Sequence, residues 1–235
     1  MQFSYDSQLA ALIGTDATSI DGVVTVLQAM DAVLDGTRDG LKWFNTLYLQ
    51  VTLAVRDSGP ARFIADLDFQ FADLYFAALR GWLGDGELPE SWRILFAQRA
   101  NARLMRVQFA LAGVNAHINR DLAVAVVKTC GGAGIAVRHE TAEYQQYTAL
   151  NGILDGLIER AKRELLVSLP GDVLPGTDQV EQVVAGWSVA AAREAAWVHA
   201  EILEAIAGES VLAGRFVSAL DGTAALAGKA LLLEV

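Results

Sequence analysis

The sequence predicts an all-α single domain, an irregular bundle of about seven or eight helices. Three observations predict it. Apolar residues recur at helical spacing through long runs. The four prolines, Pro60, Pro89, Pro170 and Pro175, stand beside glycine or acidic residues between those runs, as turn punctuation does. Strict alternation of apolar and polar residues, the mark of a half-buried strand, is nearly absent.

Taken in order, helices are expected over about 20–34, 41–57, 61–83, 90–101, 103–129, 139–168, 178–207 and 211–233. Pro89 fits the first position of the fourth, and Gly131-Gly132 closes the fifth. Thr177 and Asp178 suit the start of the seventh, with Gly208 beyond its end. No repeat, low-complexity tract or long linker divides residues 1–235. Residues 1–18 are expected to form a loosely ordered N-terminal segment.

Composition narrows the function classes. Hydrophobic residues are 53% and charged residues 20% of the 235, a globular balance. The net charge of −10 argues against an electrostatic grip on nucleic acid or on an anionic membrane. Cys130 is the single cysteine, which excludes an intrachain disulfide, a zinc finger and a CxxC redox motif. The first residues, Met1-Gln2-Phe3-Ser4-Tyr5-Asp6, have no basic region and no apolar run of the secretory kind. The apolar tail from Val211 is interrupted by Arg215, Asp221, Lys229 and Glu234, so a buried helix explains it better than a membrane span. A cytoplasmic protein is expected.

A wheel at about 100° per residue sorts each helix into faces. Over 103–129, Gln108, Asn115 and Asn119 fall in the middle of the apolar arc. Buried amides need partners, so they form either a structural network or the polar floor of a pocket. The opposite face carries Arg103, Arg106, His117, Arg120, Asp121 and Lys128, and is expected to be solvated or half-buried. His117 and Asp121 stand four residues apart and can touch. They make a surface pair, an acid/base dyad at a pocket mouth, or two ligands of a metal.

The other helices add candidates. Asp68 falls inside the apolar arc that runs through Tyr75, and there it is either a half-exposed cap or a carboxyl with a raised pKa. Tyr147 lies on the buried face after His139, with Tyr144 and Asn151 at its edge. Trp197 is expected on an exposed face between Arg193 and Glu201, either in contact with another helix, a subunit or a ligand, or with Arg193 stacked over it. That face also suits a homodimer contact.

Familiar motifs fail. Gly131-Gly132-Ala133-Gly134 is followed by no phosphate-binding Lys-Ser/Thr pair. Gly186-Trp187-Ser188-Val189-Ala190 is one residue short of a nucleophile elbow and lacks the parallel sheet that elbow needs. There is no Glu-x-x-His and no Asp-Asp-x-x-Asp, and His117, His139 and His199 are far apart. No metal site is assigned and no cofactor is expected.

One segment is familiar. Leu111-Ala112-Gly113-Val114-Asn115-Ala116-His117-Ile118-Asn119-Arg120-Asp121-Leu122 resembles the Ala-His-Ile-Asn-x-Asp-Leu signature of a bacterial family of helical proteins of unknown function. Trp43-Phe44-Asn45-x-Leu47-Tyr48, Leu67-Asp68 with Phe71 and Leu74-Tyr75-Phe76, Trp92 with Phe96, and Arg193-Glu194-Ala195-Ala196-Trp197 look similar too. The resemblance spans about residues 40–230. It places Asp68, Asn115, His117, Asn119, Asp121 and Trp197 in a recurrent pattern and carries no reaction with it.

The expected function is a cofactor-independent cyclase, isomerase or dehydratase of specialised metabolism, acting on a largely apolar small molecule between helices. Asp68, or His117 with Asp121, would move the proton. Tyr75, Gln108, Asn115, Asn119, Tyr144, Tyr147, Asn151 and Trp197 would line the site. The competing readings are a non-catalytic small-molecule carrier, a hydrolase with a metal on His117, Asp121 and His139 or Glu140, and a purely structural protein. Sequence alone leaves open which of the two polar faces of the 103–129 helix meets a site.

Overall fold

The computed structural model describes residues 3–14, 17–84, 86–166 and 188–234. These form eleven α-helices, one π-helical turn and no strand. They are α1 (Asp6–Ile13), α2 (Ile20–Val33), α3 (Leu41–Asp57), α4 (Arg62–Leu83), α5 (Glu90–Ala97), α6 (Arg106–Ala116), α7 (Leu122–Ala133), α8 (Ala142–Ala149), α9 (Asn151–Leu166), α10 (Val189–Ala205) and α11 (Ser210–Leu231). The π turn, His117–Asp121, joins α6 to α7 without a break. No helix of the described residues is long and apolar enough to cross a membrane.

The rod formed by α6, the π turn and α7 is the axis of the bundle. α3, α5, α9 and α11 pack against α6, while α4 and α10 pack against α7. Every residue from Val107 to Ile118 is buried. A helix covered on all sides has no solvated face, so the wheel's expectation that His117 and Asp121 face solvent is overturned. Close packing on α3 requires a residue without a side chain: a Cβ on Gly113 would lie 2.3 Å from the Phe44 ring. Gly134 then ends the rod in a left-handed cap at φ 68°.

Several boundaries differ from the expected ones. The N-terminal segment is not loose throughout, because α1 buries Leu9 and Ile13 fully against α2 and α4. The helix expected over 139–168 is two, parted at Leu150. The chain from Asn101 to Met105 turns instead of starting the long helix, with the Asn101 carboxamide accepting from the Arg103 amide. Thr177, Asp178 and Gly186-Trp187 lie outside the described residues, and Ser188 supplies the side-chain cap of α10. Asp221 of α11 reaches across to cap α5, accepting from the Glu90 and Ser91 amides at 2.7 and 3.1 Å.

A buried ion cluster ties the N-terminal half together. Arg99, which follows α5, donates to Asp39 before α3 and to Asp6 of α1 at 2.6 and 3.0 Å, with all three side chains fully buried. Removing one partner leaves an uncompensated buried charge. Asp39→Ala should therefore lower the unfolding free energy by about 3–5 kcal/mol, measured by urea denaturation.

Candidate functional site

Helices α3, α4, α9 and α10 converge on the π turn around a cavity of about 80 Å³. Its walls are mainly aliphatic and aromatic, with Phe44, Leu47, Phe71 and Ile118 among them. The polar lining residues are Tyr48, Asp68, His117 and Arg193. The space holds several waters or a compact apolar group.

The π turn positions the histidine. The Leu122 amide reaches back five residues to the His117 carbonyl. Widened turns of this kind recur at functional sites. His117 lies flat against Phe71, with ring centroids 3.4 Å apart and planes 7° apart, and the Tyr48 ring meets it edge-on at 4.7 Å. Its Nδ1 is 3.1 Å from Asp121 Oδ2. That oxygen also accepts from Trp92 Nε1 at 2.8 Å, and Arg120 donates to Oδ1 at 2.6 Å. Asp121 accepts from the other two donors, and an acceptor facing His117 Nδ1 assigns the ring proton to that nitrogen. Nε2 is left as a bare acceptor, buried and without a partner. Burial holds the ring below its ordinary pKa against the opposing pull of Asp121, and Arg120 adds to the lowering. His117 is therefore a neutral imidazole at pH 7.

Asp68 sits on the inner face of α4, and its Oδ2 is buried without a partner. Burial alone raises its pKa from 3.8 to about 7. The Tyr48 hydroxyl is a third unpartnered group at the cavity. Burial, then the nearby charge of Asp68, holds that phenol well above its usual range.

The other expected lining residues divide. Gln108 donates from Nε2 to the Leu231 and Leu233 carbonyls at 2.8 Å each. Asn115 donates to the Ala224 carbonyl at 2.7 Å and accepts from Asn119 at 2.8 Å. These amides fasten α6 and the π turn to α11, and they do not line the cavity. Tyr75 is buried beside Trp92 and Phe44, behind the His117 ring. Trp197 is fully buried between Tyr144 and Tyr147, so the exposed face proposed for it, and for a homodimer through it, does not exist. Arg193 lies over Tyr147 instead, 3.9 Å from its ring centroid. Tyr147 and Asn151 support the cavity indirectly, since both hold Arg193. Tyr144 donates to Glu194 at 2.8 Å.

His139, offered as a third metal ligand, is held by Glu194 and Glu201 of α10 at 2.9 and 2.8 Å and is not a cavity residue. Glu140 is exposed. Among the described residues no three His, Cys, Asp or Glu side chains gather to hold a metal ion. Tyr48, Trp92, Arg120 and Arg193 complete the site and were not singled out as site residues from sequence. All four fall within the stretches that carry the family resemblance.

Two outcomes follow. The folded state keeps the Asp68 proton that the unfolded chain releases near 3.8. That contribution to stability is whole below pH 3.8 and is lost as pH rises through about 7. The stability of Asp68→Asn relative to the parent should rise by about 1.4 kcal/mol per pH unit between pH 5 and 7, read from urea denaturation curves. Asn115→Ala should cost about 1–3 kcal/mol in the same assay at every pH, because it strands the Ala224 carbonyl.

No curated protein and no solved structure matches the chain. The profile of a family described as a family of unknown function (DUF5995) matches residues 20–234, which takes in every helix from α2 to α11 and each polar residue of the cavity. The chain belongs to that family.

Proposed function

We propose that this protein is a cofactor-independent enzyme that moves a proton within a small, largely apolar molecule, as a cyclase, isomerase or dehydratase does. One observation carries the reading. Asp68 Oδ2 and His117 Nε2 are buried proton-exchanging atoms without partners, on residues that line the same apolar cavity. Leaving such atoms unpaired costs stability, and functional sites are where that cost recurs.

The roles follow from the two environments. Near pH 7 Asp68 is close to half protonated, the condition in which a carboxyl gives and takes protons most readily. Neutral His117 accepts at Nε2, and the resulting imidazolium is stabilised through Nδ1–H by Asp121. Arg120 and Trp92 keep Asp121 in place. The Tyr48 hydroxyl is free to donate to an oxygen on which charge develops. The apolar walls exclude water, so charge on a reacting molecule is stabilised by these groups alone. The single free thiol, Cys130, is buried, which suits a cytoplasmic setting.

The test begins with small molecules extracted from the source cells. Purified protein is incubated with the extract, and compounds consumed or formed are identified by mass spectrometry. Asp68→Asn and His117→Ala, each confirmed folded by circular dichroism, should slow that conversion about 10²–10⁴-fold. Turnover by the parent should follow pH with a limb near 7 that Asp68→Asn removes. A compound that binds and is recovered unchanged would make the protein a carrier, and full activity in both variants would remove the site from the chemistry.

A further inference from the structure

We infer that the cavity takes a monocarboxylate with a compact apolar body, its carboxylate seated on Arg193. The inference rests on reading the cavity as a ligand site and adds the ligand's charge. Arg193 lines the cavity and is 7% exposed. Its side chain is fixed on three sides: Nε donates to Asn151 Oδ1 at 2.7 Å, Nη2 donates to the Tyr147 carbonyl at 2.6 Å, and the guanidinium lies over the Tyr147 ring. All of those partners are neutral. Among the described residues no carboxylate comes within ion-pair distance of it, and Asp155 acts on it only from further away.

The contrast with Arg99 makes this significant. That guanidinium is also buried, and two aspartates pair with it. A buried cation without a counter-ion is costly, and guanidinium does not give up its proton to escape the cost. Burial pulls Arg193 down from its usual value, yet that value starts far above neutrality. Among the described residues no ion-pair partner supplies the balancing charge, and a bound anion would supply it.

The open nitrogens define its shape. Among the described residues both N–H groups of Nη1 and one of Nη2 have no partner, which leaves enough donors for the two oxygens of one planar carboxylate. A single cation in an apolar enclosure balances a monoanion. A phosphate dianion would leave a surplus charge in the same walls.

The experiment uses unmodified protein and a series of linear monocarboxylates from butanoate to decanoate, each with its primary amide, by isothermal titration calorimetry. At the best length the carboxylate should bind at least about tenfold tighter than the amide. Arg193→Gln should remove that preference, and Arg193→Lys should restore part of it. Should Arg193→Gln fail to fold, the carboxylate-to-amide ratio on the parent protein still decides. Equal binding of acid and amide, or binding of neither at any length, overturns the proposal, as does an unchanged preference in Arg193→Gln. The catalytic reading fails separately. Asp68→Asn should keep the carboxylate preference, so carboxylate binding without any turnover of extract compounds removes the enzyme and leaves the anion site.

Discussion

Much of this fold answers to one constraint: the centre of its longest helical rod, from Val107 to Ile118, is buried on every side. Water cannot satisfy the polar groups along that stretch, so each must find a partner within the chain. Most do. Gln108 and Asn115 take carbonyls from α11, Asn119 takes the Asn115 carboxamide, and Asp121 collects donors from Trp92, Arg120 and His117. Against that pairing, the exceptions become legible. His117 Nε2 on the rod, with Asp68 Oδ2 and the Tyr48 hydroxyl facing it from α4 and α3, has no partner. Other buried atoms without partners, Asn45 Oδ1 and Trp197 Nε1 among them, lie apart from one another, but these three sit together around one cavity.

Burial acts in opposite directions on the two proton carriers. It disfavours the charged form of each, so it raises Asp68 and lowers His117. A carboxyl and an imidazole that differ by more than two units in water are brought toward each other. One is left able to donate and the other able to accept near neutral pH. The same environment that costs stability therefore brings the two groups into the range where each could exchange a proton near neutral pH.

The sequence shows the helices clearly because their periodicity is local. The burial of Asp68 was legible for the same reason, since one turn of α4 suffices to place it among Ile64, Leu67 and Phe71. The site's central pair was harder. A wheel assumes that a helix has an outside, and α6 with its π turn has none; only the number of helices packed around it decides that. Three amides on an apolar arc fit either a structural network or a pocket floor, and the structure makes them a network joined to α11; a wheel shows that a face is buried but not against what. Arg193 and Trp197 differ from their wheel positions. Their spacing of four residues is right for stacking, but Tyr147, 46 residues away from Arg193, takes the guanidinium instead.

The charged groups of the cavity are also kept apart. Arg193 is a fixed positive charge without a counter-ion, and Asp68 is a carboxyl that burial keeps partly protonated. If these two satisfied each other across the cavity, Asp68 would be an ordinary carboxylate and the site would hold a salt bridge with nothing left to react. They do not form that bridge: Arg193 is turned toward Tyr147 and Asn151, and the Asp68 oxygen stays unpaired. The two groups therefore keep separate states: burial alone holds Asp68 partly protonated, while Arg193 stays charged and held by neutral partners. An anion that neutralised Arg193 would leave the Asp68 proton where burial puts it, so the cation and the carboxyl of this cavity are independent tests of what it holds.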